Sequence, residues 1–332
     1  MTLKLMNDAG RRALGGGVLA LTLLVVSCGG GTQSSTFTAR RVMAFGDETS
    51  LIVDTNGDGD GSKYSVNATV SDTDPTLACA SNPIWIQAVA TLYGLVFPQC
   101  NAGPTPVSSP TSRIRAAFGA QAADLAGQID AQLAESGVAD GDLATVLVGE
   151  NDVLAQYAQY PMVGETELTA NLEAAGTLVG QQVNRLADAG VKVLISTIPD
   201  VGVTPYALSE RAGHIDTDRA ALLTRLTASF NAKLRATITN DGRRIGLILL
   251  DELVSAVGRF NGLDGFTNST VGVCDLNRSA LTPPSILDCT NFTLITDGSG
   301  SAYLWADDRH LSSGGQLALG NLATSRARNN PF

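Results

Sequence analysis

Val42-Met43-Ala44-Phe45-Gly46-Asp47-Glu48-Thr49-Ser50 is a short apolar run that ends in a sharp Gly-Asp turn. The run has the length of a buried strand. Gly-Asp followed by polar, cap-forming residues stops it abruptly. In an α/β protein that stop puts the next side chain at the mouth of a parallel sheet, where such folds keep their chemistry.

Upstream lies a targeting segment, residues 1–27. Lys4, Arg11 and Arg12 form a positive region before the apolar run Val18 to Val26, which is short for a membrane span. Val25-Val26-Ser27-Cys28 resembles a bacterial lipobox, and that resemblance implies cleavage before Cys28 and its diacylation. An ordinary signal peptide with a chance cysteine is the alternative. Residues 28–40, with Gly29-Gly30-Gly31, read as a flexible tether.

Downstream, residues 41–326 read as one domain with insertions near 50–70 and 260–300, followed by a tail at 327–332. The chain has 332 residues, 44% of them hydrophobic and 16% charged, which suits a folded core. Its net charge of −10 argues against nucleic acid as a partner. Buried strands are expected at 41–46, 143–148, 191–197 and 245–250. Helices are expected at 82–95, 119–135, 165–189, 217–239 and 310–326. Residues 98–113 read as a Pro/Ser-rich loop. The alternation argues βαβ units: an α/β fold, a three-layer α/β/α sandwich around a mainly parallel sheet. There is no G-x-G-x-x-G after a strand and no P-loop, which disfavours a flavodoxin-like cofactor carrier.

Besides Cys28 the chain holds Cys79, Cys100, Cys274 and Cys289. An even number in an exported protein suggests disulfides, and four cysteines allow three pairings. Proximity favours Cys79–Cys100 and Cys274–Cys289. The stretch Asp54 to Ser65 admits two readings. It resembles the start of an EF-hand-type calcium loop, with Asp54, Asn56, Asp58 and Asp60 as oxygen ligands, which implies a structural calcium ion. Its position 12 is Ser65 rather than a bidentate Glu. The other reading is a hairpin whose Asn-Gly and Asp-Gly steps supply positive φ. No other cofactor is expected.

Three strand ends carry polar residues at one sheet edge: Asp47-Glu48, Asn151-Asp152 and Pro199-Asp200. Asp307-Asp308-Arg309-His310 opens the last helix, and the spacing lets Asp307 reach one imidazole nitrogen and leave the other free as a base. Caps alone would explain Asn151, Asp152 and Asp307 singly. They do not explain the order of the blocks with a histidine at the right offset.

Together these blocks resemble the SGNH (GDSL) hydrolases. Phe45-Gly46-Asp47 matches the first motif, Gly149-Glu150-Asn151-Asp152 the G-x-N-D motif and Asp307-x-x-His310 the D-x-x-H motif. Ile198-Pro199-Asp200-Val201-Gly202-Val203-Thr204-Pro205 resembles the family's P-D-x-G-x-T-P stretch. The resemblance implies His310 as base, Asp307 as its orienter, and Asn151 with a glycine N–H as oxyanion donors. Gly119 fits the glycine best and Gly103 is the alternative. The family's nucleophilic serine position holds Glu48. Three readings follow: a non-hydrolytic relative that binds an acyl or glycan ligand, a neighbouring hydroxyl such as Ser50 as nucleophile, or Glu48 with His310 activating water. The family implies a small-molecule ester, a lipid or an acetylated glycan as partner. The lipobox implies a membrane anchor in the bacterial envelope, on the outer membrane facing the periplasm or the cell surface.

Overall fold

A computed structural model of the protein describes residues 37–71, 73–103, 105–239, 242–260 and 262–329. The expected targeting segment and Cys28 lie outside the described residues. The strands are β1 (Arg41–Gly46), β2 (Ile52–Val53), β3 (Ser62–Lys63), β4 (Arg113–Ile114), β5 (Asp142–Leu147), β6 (Lys192–Ser196), β7 (Ile245–Ile248), β8 (Asn268–Gly272) and β9 (Tyr303–Trp305). The helices are α1 (Trp85–Leu92), α2 (Leu125–Ser136), α3 (Glu150–Tyr157), α4 (Glu165–Asp188), α5 (Pro205–Gly213), α6 (Arg219–Thr237), α7 (Leu250–Arg259) and α8 (Ser313–Asn329).

Five strands form a parallel sheet in the order β4-β1-β5-β6-β7. This is the doubly wound order, with the chain leaving β1 to one side for β4 and returning past it to β5. Right-handed crossovers then place α1 on one face and α2, α4 and α6 on the other. Accordingly α1 packs with α8, and α4 packs with α2, α3 and α6. All six residues of β5 are buried, as are five of six in β1, so both strands need apolar side chains on both faces. The register pairs Gly46 with Leu147. The two strands therefore end level and open a crevice at their carboxyl ends.

The helix α4 buries Leu168, Leu172, Val179, Val183 and Leu186 at helical spacing. Each such side chain contributes roughly 1.5–3 kcal/mol when taken from water. Gly176 and Gly180 face α6, where an added Cβ would run into backbone and side-chain atoms of that helix.

Several elements differ from the sequence expectation, each for a local reason. The helix expected from 82 begins at Trp85, because Asn82 has φ 47 and Ile84 is extended. The helix expected from 119 begins at Leu125, after Gly119 at φ 71 and a 3-10 turn at Ala122–Asp124. The last helix begins at Ser313, because the carbonyl of His310 still accepts from Ala306 N. It continues to Asn329, past the expected tail boundary. The loop at 98–113 ends in the edge strand β4. The expected disulfides Cys79–Cys100 and Cys274–Cys289 are both formed. The insertion at 260–300 carries β8, which pairs in parallel with β9 just beyond it.

Candidate active site

Gly46 ends β1 at φ 121, and a Cβ there would strike the Leu147 carbonyl. Its N–H and C=O are both held by the Gln128 amide, at 2.7 and 2.9 Å. Asp47 then donates its N–H to Leu147 O and accepts from Thr49 N at 3.0 Å, capping a 3-10 turn at Glu48–Ser50. That turn points Glu48 into the crevice, where the residue is 4% exposed.

Four groups converge on the Glu48 carboxylate. Oε2 accepts from Gly119 N at 2.9 Å and from Asn151 Nδ2 at 3.0 Å. Oε1 faces His310 Nε2 at 3.6 Å and an Arg309 guanidinium nitrogen at 3.7 Å. At those distances the two cations are ion-pair partners and not hydrogen-bond donors. Behind them His310 Nδ1 meets Asp307 Oδ2 at 2.7 Å, while Asp307 Oδ1 accepts from the N–H groups of Arg309 and His310.

The electrostatics follow from this arrangement. Burial alone would raise Glu48. The charged imidazole across from it and the donors on its oxygens outweigh burial and hold it near 2. Burial alone would lower His310, but the Asp307 carboxylate, with help from Glu48, raises it to about 10. At neutral pH the imidazole is therefore a cation, with Nδ1–H donating to Asp307. Such a ring has no free lone pair for a proton. Burial is also the main force that pushes Glu150 up to about 7 and Asp152 to about 6. Asp47 is raised by burial and then by Glu48 and Glu150.

Gly119 N–H and the Asn151 amide hold a carboxylate oxygen where such donors would otherwise stabilise a developing oxyanion. The structure thus brings together Glu48, Gly119, Asn151, Asp307 and His310. Gly119, not Gly103, supplies the N–H. Ser50 is not part of this cluster. It is fully buried, and its Oγ accepts from Trp85 Nε1 at 3.1 Å. We expect Ser50→Ala to lower stability by about 1 kcal/mol through the lost indole hydrogen bond, read by urea unfolding. Loss of ester turnover without loss of stability would show the opposite role.

Asp200 serves the fold: it caps the turn into α5 through Gly202 N and accepts from Ser255. Glu150, Arg309 and Tyr64 also face the site, and sequence spacing did not single them out. Glu150 and Arg309 sit inside quoted motifs at positions with no assigned role. Tyr64 comes from the 50–70 insertion, and only folding brings it there.

The carboxylates of Asp54, Asp58 and Asp60 gather within 4.8 Å of one another. Three hard oxygens suit calcium, which takes six to eight. Both oxygens of Asp54, however, already accept from Gly57 and Gly59 N–H, and Ser65 is buried with its hydroxyl donating to Leu311 O. The Asp54 hydrogen bonds belong to a turn, and β2 and β3 pair as the two sides of a hairpin.

The family model described as GDSL-like Lipase/Acylhydrolase matches residues 42–323. No curated protein matches the chain. Among solved structures, the chain is similar to the acetyl xylan esterase AlAXEase at 12% identity and TM-score 0.41, over 86% of this chain and 98% of that one. It is similar to Axe2, an acetylxylan esterase from Geobacillus stearothermophilus, at 11% identity and TM-score 0.42, over 88% and 95%. A member of the lipolytic protein G-D-S-L family from Veillonella parvula DSM 2008 aligns at 12% identity and TM-score 0.41, over 86% and 96%.

Proposed function

This chain belongs to the GDSL-like lipase/acylhydrolase family, and we propose that it keeps the family's pocket as a binding site for an acyl or glycan ligand without cleaving esters by the serine route. One observation carries this reading. The Glu48 carboxylate sits on both N–H donors, Gly119 N and Asn151 Nδ2, and faces His310. A carboxylate is a poor nucleophile toward an ester, and an imidazolium cannot take up a proton. The place of a developing oxyanion is in effect taken by the chain's own carboxylate.

A second reading has its own support. The Asp307–His310 pair and both oxyanion donors remain in place. Direct hydrolysis by water activated between Glu48 and His310 would use them. The two readings separate in one experiment: turnover of short- and medium-chain p-nitrophenyl esters, beside labelling by a serine-directed fluorophosphonate. We expect neither turnover nor labelling. Turnover without labelling that is lost in His310→Ala establishes water activation. Turnover with labelling overturns both readings.

The chain's place in the envelope belongs to the same proposal. Lys4, Arg11, Arg12, the apolar run and Val25-Val26-Ser27-Cys28 support lipidation at Cys28. Cys28→Ala is expected to move the protein from the membrane fraction to the soluble fraction. Unchanged membrane association would refute the anchor.

A further inference from the structure

Three rings stack at the mouth of the site. Phe118 precedes the donor Gly119 and is 61% exposed. Tyr64 lies against it with centroids 5.3 Å apart and planes at 21°. On its other side Tyr64 meets the His310 ring at 5.6 Å and 37°. Behind this stack, His310 Nε2 is buried and has no hydrogen-bond partner among the described residues. The His310 side chain is 9% exposed. Its nearest acceptor, Glu48 Oε1, is an ion-pair partner at 3.6 Å, beyond hydrogen-bond reach, so an oxygen brought within reach of this buried charged donor is stabilised.

We propose that Phe118 and Tyr64 form a stacking subsite for a neutral ligand that carries a flat ring face and, beside it, a hydroxyl or carbonyl oxygen that accepts from His310 Nε2. The proposal rests on the reading of this pocket as a ligand site. The ring face follows from Phe118, a rigid aromatic surface left open to solvent and backed by a second ring. A flat rigid group covers such a surface with less loss of freedom than a flexible chain. Neutrality follows from the charges around Nε2. The Glu48 and Asp307 carboxylates already balance Arg309 and His310, and Asp308 lies beside them, so a further anion would be repelled.

The test uses three probes that contain no ester: methyl β-D-xylopyranoside, benzamide and hexanoate. The readout is the ¹H–¹⁵N resonance of His310 Nε2–H in the intact protein. At least one ring probe is expected to shift it saturably, and hexanoate is not. Phe118→Ala should weaken that binding about tenfold, while Tyr64→Phe keeps it. Phe118 is exposed, so its removal leaves the core intact. A response to the xyloside alone identifies a pyranose ligand, and a response to benzamide alone identifies an aromatic one. The proposal is overturned if no ring probe shifts the resonance, if hexanoate matches the ring probes, or if Phe118→Ala binds like the parent. Because no bond is cleaved, this outcome is independent of whether the protein hydrolyses esters.

Discussion

Glu48→Ser is expected to raise p-nitrophenyl acetate turnover by this protein on the order of 10³-fold. Three changes act together. The serine Oγ would stand on the turn that now points Glu48 at His310. Removing the carboxylate frees Gly119 N–H and Asn151 Nδ2 to bind a developing oxyanion, an effect worth roughly 10²–10³-fold per donor in known cases. It also removes one of the two anions that hold His310 protonated. Asp307 remains, orienting the ring through Nδ1, so Nε2 becomes free to accept the serine proton nearer neutral pH. Fluorophosphonate labelling at position 48 should appear with the activity. Asn151→Ala in the serine background should lose about 10²-fold of it. A folded Glu48→Ser protein that neither labels nor turns over would mean that this pocket lacks the geometry of a hydrolase.

How much of this was legible in the sequence depends on how local each contact is. Asp307 and His310 are three residues apart, and their hydrogen bond was readable from that spacing alone. The apolar runs of β1, β5, β6 and β7 were readable because strands buried on both faces leave no polar alternation. The disulfides were readable from proximity, since each closes a short loop. α3 was not, because it starts directly at Glu150 with polar residues in its first turn. Neither were α5, whose buried positions are few, and α7, whose Leu250 follows directly on the apolar run of β7 and reads as its continuation. Gly119 was readable as a candidate only by its place between motifs. The convergence of Arg309 on Glu48, and the stacking of Tyr64 on Phe118 and His310, join residues from distant loops. No periodicity announces such contacts. Ser50 illustrates the converse: its neighbourhood with Glu48 in sequence suggested chemistry, while the buried indole of Trp85 claims its hydroxyl.

Stability should peak at mildly acid pH, near 4.5, and Glu150→Gln should remove much of the decline toward pH 7. The sign follows from proton binding in the two states. Glu48 has a folded value near 2 against 4.5 unfolded, so its contribution is full above 4.5 and is lost as pH falls toward 2. Glu150 moves the other way, from 4.5 to about 7, because its carboxyl is buried and burial outweighs the nearby Arg309. Between those values the unfolded chain releases the proton first, so stability falls as pH rises. Asp152, raised to about 6 by burial, and Asp47, raised by burial and then by Glu48 and Glu150, add to the same decline. Above pH 7 two groups oppose each other. His310, raised to about 10, loses stabilisation as pH climbs from its unfolded 6.5. Lys63 is lowered to about 7 by burial, although its ammonium donates to the carbonyls of Cys79, Ser81 and Asn82. It binds its proton more tightly when unfolded, so its contribution grows toward 10.5. The share of the decline due to Glu150 and Asp152 therefore lies below about pH 7. In that window Glu150 alone is worth about 3 kcal/mol, from a pKa change of roughly 2.5. Thermal unfolding of Glu150→Gln at pH 4 should match the parent, and at pH 7 it should be higher by several degrees. Equal loss of stability at both pH values would show that Glu150 is held as an anion by Arg309, and that the buried acid is not the source of the decline.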